Sequence, residues 1–335
     1  MVEYTIPVIY IAEFLAGILG NLLVVVVCLS DKQNRSPTTV FMLNLSIADL
    51  LVCTFVLPAT VFLIFSQNGW VFGNILCKLN FFSQNVTVFI SIYTMVAMSV
   101  DRFLAVVYAI ESIVFRTHHN AVRTVCVIWI VTLIVNSPLL LITRVRHGDG
   151  GMLYCEPNWN MYFESGFQLY AFFVIFLAYL LPLLAIVCLY FILVRSLWKN
   201  RGIRQSEESL RSKRLVTKMV IIVVILFALS LLPINIVYLV QSLDYWDRCS
   251  FSQYLLLVFA YVSFYFNNIC NPFVYAFKSE NFQKSMIKRF TFLAKFEKSK
   301  KKKSEKTTIV IPQKTRENFS DVYIHPDANV EHSKV

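Results

Sequence analysis

The sequence predicts an all-α membrane protein: a seven-transmembrane helix bundle with a short amphipathic eighth helix. Hydrophobic residues make up 57% of the 335 residues and charged residues only 15%, whereas soluble domains carry about 25% charged residues. The apolar residues fall into seven runs, each reaching the ~20 residues that a helix needs to cross a bilayer. Only helices satisfy their backbone hydrogen bonds there without closing a barrel, so the class is all-α.

The seven runs divide the chain into spans and loops. The predicted spans cover residues 6–30, 38–65, 77–108, 121–142, 167–197, 215–241 and 252–277. The start of the chain lacks the basic region and cleavage site of a signal peptide, so the first span is expected to be a retained anchor. The expected regions are a short extracellular N-terminus (1–5), the membrane domain (6–278), an amphipathic helix on the inner leaflet (279–294) and a disordered cytoplasmic tail (295–335).

The third span is predicted to be the central helix of the bundle. It contains no glycine or proline, which favours one uninterrupted helix. At 1.5 Å per residue, Cys77 and Arg102 would lie about 37 Å apart, more than the ~30 Å hydrocarbon core. One helical face, in steps of seven, four and seven residues, carries Gln84, Ser91, Met95 and Arg102. This weakly polar stripe is expected to face other helices rather than lipid.

Lysine and arginine predict the orientation of the bundle. They are concentrated in the loops after spans one, three and five and in the tail, where 300–303 are four successive lysines. Because cytoplasmic loops carry the excess of basic residues, the C-terminus is expected in the cytoplasm and the N-terminus outside. The net charge of +11 then reflects an asymmetry across the membrane, and nucleic-acid binding explains it poorly.

The eight cysteines fall into two groups. Five lie within spans, where cysteine usually acts as a small apolar residue: Cys28, Cys53, Cys126, Cys188 and Cys270. Three lie at or beyond the outer face, where disulfides persist: Cys77, Cys155 and Cys249. We predict a disulfide between Cys77 and Cys155, which leaves Cys249 as a free thiol or paired elsewhere.

Polar and proline residues inside the spans indicate function. Asp49 lies in span two, and a carboxylate at a helix centre costs about 2.5–3.5 kcal/mol. We interpret Asp49 as functional, with a structural acid whose hydrogen bonds are satisfied as the alternative.

Spans two, five, six and seven each contain a proline: Pro58, Pro182, Pro233 and Pro272. Pro58 is expected to kink the outer third of span two. Prolines in spans five to seven suit a conformational switch, although static kinks would produce the same pattern.

Two further elements are predicted outside the spans. The turn-like sequence HGDGG at 147–151, followed by Met152, Leu153 and Tyr154, indicates a short hairpin on the outer side. After 279, an amphipathic helix is predicted from apolar residues on one face and basic residues toward the other. The apolar set is Phe282, Met286, Phe290 and Leu293, and the basic set is Lys284, Lys288, Arg289 and Lys295.

Taken together, these residues resemble the rhodopsin-like (class A) G-protein-coupled receptors over about 11–290. The matching elements are Gly20-Asn21, LNLSIADL with Asp49, Trp70 ahead of Phe72-Gly73, Cys77, Asp101-Arg102-Phe103, Trp129, Cys155, Pro182, Pro233 and Asn271-Pro272-Phe273-Val274-Tyr275. The segments NLSIADL, AMSVDRFLAVV, LLPLL, NPFVYAF and SENFQKS are most similar to galanin and allatostatin-type neuropeptide receptors. The resemblance implies a receptor without enzymatic activity.

The resemblance also implies roles for individual residues. Arg102 would contact the C-terminal helix of a G protein once span six moves outward, with Tyr190 and Tyr275 closing beneath it. Further residues implied in activation are Asp101, Pro182, Ile92, Phe227, Leu231, Pro233, Asn271 and Pro272. An allosteric sodium ion, with no other cofactor, would be bound by Asp49, Ser91, Asn267 and Asn271. A cation bound only in the inactive packing would bias the equilibrium by its differential affinity.

Five positions depart from the pattern of the family. Leu231 replaces the usual tryptophan of span six, so a rotating indole switch cannot operate. Phe103 replaces tyrosine, which is a mild change. Lys213 stands near the place of an acid that pairs with Arg102 in some members, so raised basal activity is expected. Gln84 replaces the aspartate of amine receptors, and Tyr265 replaces the retinal lysine of opsins, which disfavours both ligand classes.

The ligand cavity is expected to open outward with neutral, amide-rich and aromatic walls. Such walls suit a peptide terminus or an amide backbone, although some of these side chains could simply pack between helices. The candidates for the wall are Gln84, Asn85, Asn235, Tyr238, Tyr261 and Tyr265, with Glu156 and Trp159 on the lid.

The expected function is a plasma-membrane receptor that binds an extracellular neuropeptide and activates heterotrimeric G proteins. The tail is expected to attract receptor kinases and arrestin. The alternative within the class is a receptor for a lipid or a small non-peptide ligand. A transporter would show internal repeats, a channel would show a filter loop or charge ring, and a membrane enzyme would show a His, Cys or acid cluster. The sequence shows none of these patterns.

Overall fold

The computed structural model describes residues 2–30, 36–66, 69–148, 151–159, 165–199, 207–243, 245, 250–278, 282–289 and 291. The helices are α1 (Val2–Ser30), α2 (Pro37–Leu51), α3 (Leu57–Phe65), α4 (Gly73–Val107), α5 (His118–Asn136), α6 (Pro138–Ile142), α7 (Gly166–Ile175), α8 (Leu181–Lys199), α9 (Glu207–Ser242) and α10 (Phe251–Lys278). Between α6 and α7 lie strands β1 (Thr143–His147) and β2 (Leu153–Pro157). A further helix, α11, covers 282–289.

Seven helical stretches are long and apolar enough to cross a membrane, which confirms the predicted fold class. These are Thr5–Ser30, Pro37–Leu63, Gly73–Val107, His118–Ile142, Gly166–Ser196, Ile221–Ser242 and Phe251–Val274, and we call them spans 1 to 7. The largest differences from the predicted bounds lie in spans 3 and 6. Helix α4 starts four residues before Cys77, and α9 starts at Glu207, two turns before the apolar run begins.

Local sequence explains where several helices begin. Ser36 caps α2 by accepting a hydrogen bond from the Thr39 amide at 3.3 Å, and Pro37 follows in the first turn. Thr117 caps α5 in the same way through the Asn120 amide at 3.2 Å. Such caps satisfy amides that the first turn of a helix leaves unpaired.

Two spans contain a π-helical turn immediately before or around a proline. In span 2 the turn is Val52–Val56, and Pro58 follows at the start of α3. In span 5 it is Phe176–Leu180, and Pro182 follows at the start of α8. Proline cannot donate a backbone hydrogen bond and its ring clashes with the preceding turn, so a wider turn accommodates it. The distortion expected at Pro58 is therefore a widened turn that begins before the proline.

The core lies along α4, which contacts α2, α5, α8 and α9. Its buried face includes Ile92, Met95 and Met98, each no more than 1% exposed. Of the predicted polar stripe, Ser91 and Met95 are buried, while Gln84 and Arg102 are partly buried. The third span is thus the central helix that the sequence predicts.

Buried asparagines join helices across the bundle. Asn44 of α2 donates to the Thr94 hydroxyl at 2.7 Å and accepts from the Trp129 indole at 2.8 Å, which links α2, α4 and α5. Asn21 of α1 donates to the Asn268 carbonyl of α10 at 2.9 Å. Amide side chains in lipid-embedded helices make such bonds because lipid offers no partner.

The loop between spans 4 and 5 forms the predicted hairpin, in which β1 and β2 pair antiparallel with Val145 opposite Cys155. The Cys77–Cys155 disulfide joins β2 to α4, which confirms the predicted pair. The Trp70 amide donates to the Leu153 carbonyl at 2.8 Å. Gly69 is required beside this contact, because its φ is +73° and a Cβ there would lie 2.1 Å from the Leu153 oxygen.

Helix α11 is the short eighth helix that the sequence predicts. Phe282 is buried in the apolar core and Met286 packs against it, whereas Lys284 and Lys288 are exposed. Phe290, Leu293 and Lys295 lie outside the described residues, as does the tail from 292 onward. The predicted helix end at 294 and the disordered tail therefore stay predictions.

Candidate ligand cavity and activation site

A cavity lies between α4, α7, α9 and α10. It is lined by Gln84, Asn85, Val88, Phe89, Val174, Ala178, Leu231, Ile234, Asn235, Tyr238 and Phe264. Helix α4 supplies two amide side chains and α9 supplies an amide and a phenol, so polar groups from two helices face an otherwise apolar space. Four of the six predicted wall residues are thus brought together: Gln84, Asn85, Asn235 and Tyr238. We call this the outer cavity.

The other two predicted wall residues lie in a separate tyrosine cluster outside the lining of the outer cavity. Tyr265 is 2% exposed and shares a hydrogen bond of 2.7 Å with the Thr60 hydroxyl of α3. Tyr261 stacks on Tyr265 with ring centroids 6.3 Å apart, and Tyr10 of α1 meets Tyr265 edge-on at 5.8 Å. This cluster joins α1, α3 and α10.

The two predicted lid residues make different contacts. Glu156 on β2 pairs with Arg146 on β1 at 3.1 Å, so its carboxylate is used within the hairpin. Trp159 stacks on Tyr170 of α7 with ring centroids 4.2 Å apart. The Tyr170 hydroxyl donates to Asn85 Oδ1 at 2.5 Å. The lid therefore reaches the cavity wall through Tyr170, a residue that the sequence reasoning missed because it lies within an unbroken apolar run.

A second, inner cavity lies deeper in the bundle and includes Ser91, Asn267 and Asn268 in its lining. Asp49 Oδ2 accepts from the Asn271 amide at 2.9 Å. Asp49 Oδ1 is buried without a hydrogen-bond partner among the described residues. A buried carboxylate oxygen without a partner has the ligand chemistry that a hard cation such as sodium prefers.

At the end of the bundle opposite the hairpin, helices meet around Asp101, which is 6% exposed. Its carboxylate accepts from Arg102 Nη2 at 2.6 Å and from Arg116 Nε at 2.9 Å. Arg102 also donates to the Thr38 hydroxyl of α2. One carboxylate thus holds two guanidinium groups, and Arg102 is bound on two sides. Neither Thr38 nor Arg116 was predicted here, because both pairings depend on how separate elements meet.

Comparison with known proteins identifies the family of this chain. The model of the family described as 7 transmembrane receptor (rhodopsin family) matches residues 20–275. The chain belongs to this family. An allatostatin-A receptor of Bombyx mori is 36% identical over 292 residues, covering 84% of this chain and 78% of the relative. Galanin receptor 2a of Danio rerio is 34% identical over 287 residues, covering 85% and 77%. Galanin receptor type 1 of Rattus norvegicus is 34% identical over 276 residues, covering 81% and 78%.

The matches confirm both levels of the predicted resemblance, the rhodopsin family and the galanin and allatostatin receptors within it. Because these relatives are receptors, they favour a receptor over the transporter, channel and enzyme alternatives. The roles of individual site residues stay predictions.

The residues expected to connect the receptor's two ends are buried within the bundle. Ile92 and Phe227 are no more than 1% exposed, and Pro182 lies beside the π turn of span 5. Leu231, which departs from the family pattern, lines both the outer and the inner cavity together with Val88 and Phe264. Apolar side chains alone are shared between the two linings.

The structure describes the remaining residues of the predicted activation set only in part. Tyr190 on α8 is partly buried. Pro233 lies within α9, and Pro272 and Asn271 lie within α10. The side chains of Tyr275 and Lys213 lie outside the described residues, so the predicted placement of both beside Arg102 stays a prediction.

Replacing Tyr170 with phenylalanine is expected to weaken agonist potency. The change removes the hydroxyl that bonds Asn85 and leaves the ring beneath Trp159 in place. One such bond is worth about 3- to 10-fold in potency. Potency would be measured as G-protein activation at matched surface expression, with Tyr154→Phe on the exposed face of β2 as the control. Equal potency in the two variants would show that the bond does not shape the cavity.

Proposed function

We propose that this receptor binds an extracellular neuropeptide in the outer cavity and beneath the hairpin, and thereby activates a heterotrimeric G protein. The observation that carries the proposal is the outer cavity, where two amides of α4 face an amide and a phenol of α9. Neutral hydrogen-bonding walls suit amide backbone and peptide termini. Relatives named as allatostatin-A and galanin receptors support a peptide ligand.

The proposed signal passes from the outer cavity to Arg102. Ligand contacts with Asn235 and Tyr238 favour a packing in which α9 moves at its inner end. In that packing Ile92, Phe227 and Pro182, which are buried within the bundle, rearrange. Arg102 then leaves Asp101 and Thr38 and binds the G protein. Because Asp101 also holds Arg116, its carboxylate keeps a partner when Arg102 departs, which lowers the cost of this step.

The receptor is proposed to act at the plasma membrane with its N-terminus outside and its C-terminus in the cytoplasm. The distribution of basic loop residues supports this orientation. Arrestin and receptor kinases are proposed partners of the tail, which is rich in serine, threonine and lysine.

Sodium is proposed as a negative modulator bound at Asp49, Ser91, Asn267 and Asn271. Replacing Asp49 with asparagine is expected to remove the dependence of agonist affinity on sodium, because the neutral amide no longer attracts the ion. An allosteric effect of about tenfold is typical of such coupling. The measurement is agonist affinity in sodium chloride against N-methyl-D-glucamine chloride. Unchanged sodium dependence in the variant would exclude this site.

A lipid or small non-peptide ligand is the second candidate, and the apolar residues of the outer cavity favour it. Seven of the eleven lining side chains are apolar: Val88, Phe89, Val174, Ala178, Leu231, Ile234 and Phe264. Such a ligand would fill the deep part of the cavity without reaching the hairpin.

The test is a G-protein activation screen in membranes with a panel of neuropeptides that includes galanin-like and allatostatin-like peptides. Activation at nanomolar concentration would establish the ligand class and the coupling together. If no peptide of the panel activates the receptor although its surface expression is confirmed, the peptide proposal is overturned and the second candidate is favoured.

A further inference from the structure

Glu13 lies within span 1 and is 5% exposed. Its Oε2 atom is buried and has no hydrogen-bond partner in the described part of the chain. A buried carboxylate without a partner is costly in a membrane-embedded helix, and such residues usually mark functional sites. We therefore expect the Glu13 carboxylate to pair with a group that does not belong to α1.

The helices around Glu13 contain almost no basic residues. Helix α1 contacts α2, α3 and α10, and neither α1 nor the stretch 37–65 contains lysine or arginine. In α10 the single basic residue is Lys278, thirteen residues inward of Tyr265, which is about 20 Å along a helix. A cation that pairs with Glu13 must therefore come from outside these helices.

Aromatic side chains surround the approach to this carboxylate. Tyr10 lies one turn from Glu13 on the same buried face of α1. Because Tyr10 and Tyr265 meet edge-on and Tyr261 stacks on Tyr265, three rings lie on the outer side of the acid.

Three tyrosines of α10 become progressively more buried along the helix. Tyr254, Tyr261 and Tyr265 follow steps of seven and four residues, which keeps them on one helical face. Tyr254 is 46% exposed, Tyr261 is partly buried and Tyr265 is 2% exposed. Exposure thus falls steadily from the outer end of α10 toward Glu13.

We propose that Glu13, Tyr10, Tyr261 and Tyr265 form a second ligand subsite, between α1, α3 and α10, for a positively charged group of the peptide. Ring faces attract ammonium and guanidinium ions, and a carboxylate adds a charge-assisted hydrogen bond. This proposal rests on the proposed function, since the natural ligand of the subsite would be the same peptide. It adds the requirement that the peptide carry a basic group. Within the described residues no three His, Cys, Asp or Glu side chains come together, so the chemistry fits an organic cation rather than a divalent metal.

The test uses a small cation and needs no known agonist. The full-length receptor in lipid nanodiscs is titrated with N-acetyl-argininamide, and with the neutral isostere N-acetyl-citrullinamide at equal ionic strength. Saturating argininamide is expected to raise the Tm of the wild type by about 2–4 °C, and citrullinamide to leave it unchanged. Glu13→Gln should lose the shift, whereas Glu111→Gln, an exposed acid outside the spans, should keep it.

Two results would overturn the proposal: no argininamide shift in the wild type, or the same shift in Glu13→Gln. Glu13→Gln is expected to fold, because glutamine has the same shape as glutamate and carries no charge that would have to be buried. A panel of peptides that all fail to activate the receptor would contradict the proposed function, while the argininamide shift would still decide the subsite. For an agonist that contains arginine, a citrulline substitution should lower potency at least tenfold in the wild type and have no effect in Glu13→Gln.

Discussion

Replacing Arg102 with alanine is expected to lower agonist-driven nucleotide exchange about 30-fold or more, the loss typical of an arginine hot spot in a protein interface. The receptor should remain folded, since Arg116 continues to neutralise Asp101 at 2.9 Å. The measurement is GTPγS binding by a purified G protein in membranes with equal surface expression.

Arg123→Ala is the matched control for Arg102→Ala. Arg123 is exposed on the first turns of α5, so this variant removes the same charge from the same end of the bundle. Agonist affinity measured without G protein should change little in either variant. If Arg102→Ala retained exchange within threefold of the control, the proposed role of this guanidinium in coupling would have to be abandoned.

Replacing Cys77 with serine is expected to abolish high-affinity binding at the cell surface and to lower thermal stability. Cys77 is fully buried, and its disulfide closes a loop across 78 residues. Loss of a native disulfide typically costs about 2–5 kcal/mol. Without it, β2 would lose its covalent link to α4 beside the outer cavity. Tm in nanodiscs and radioligand binding on intact cells measure the two effects.

Two further variants distinguish the loss of the disulfide bond from the loss of a cysteine thiol. Cys126→Ser, at an exposed free cysteine of α5, should bind as the wild type does. The double variant Cys77→Ser/Cys155→Ser should be no worse than the single variant, because both remove one interaction. Wild-type binding by Cys77→Ser would mean that the hairpin keeps its place through hydrogen bonds alone.

The fold was largely predictable because the membrane restricts the choice of structure. Seven apolar runs identify seven spans, and HGDGG between polar stretches identifies the hairpin. The π turns at Val52–Val56 and Phe176–Leu180 were not predictable, because a change in hydrogen-bond register leaves no mark on composition. The early start of α9 was missed because Glu207 and its neighbours are polar and resemble a loop.

The site was predictable only in part. Motif positions such as Asp49 and Arg102 carry their own signal, a charge within or at the edge of an apolar span. The partners of these residues carry no such signal. Nothing in the sequence around Thr38 indicates that α2 places its hydroxyl beside Arg102. Glu13 is different, since an acid in an apolar span was a visible signal that the sequence reasoning did not use.

A disulfide and two hydrogen bonds attach the hairpin to α4 and to the segment before it. These are the Cys77–Cys155 disulfide, the hydrogen bond from Trp70 to Leu153, and one of 3.1 Å from the Val145 amide to Asn74 Oδ1. The conformational entropy of this loop is therefore lost during folding rather than on ligand binding. An arriving peptide gives up its own freedom but does not have to order the surface that receives it. Affinity differences among related peptides should then appear mainly in their dissociation rates, as is usual for preorganised surfaces.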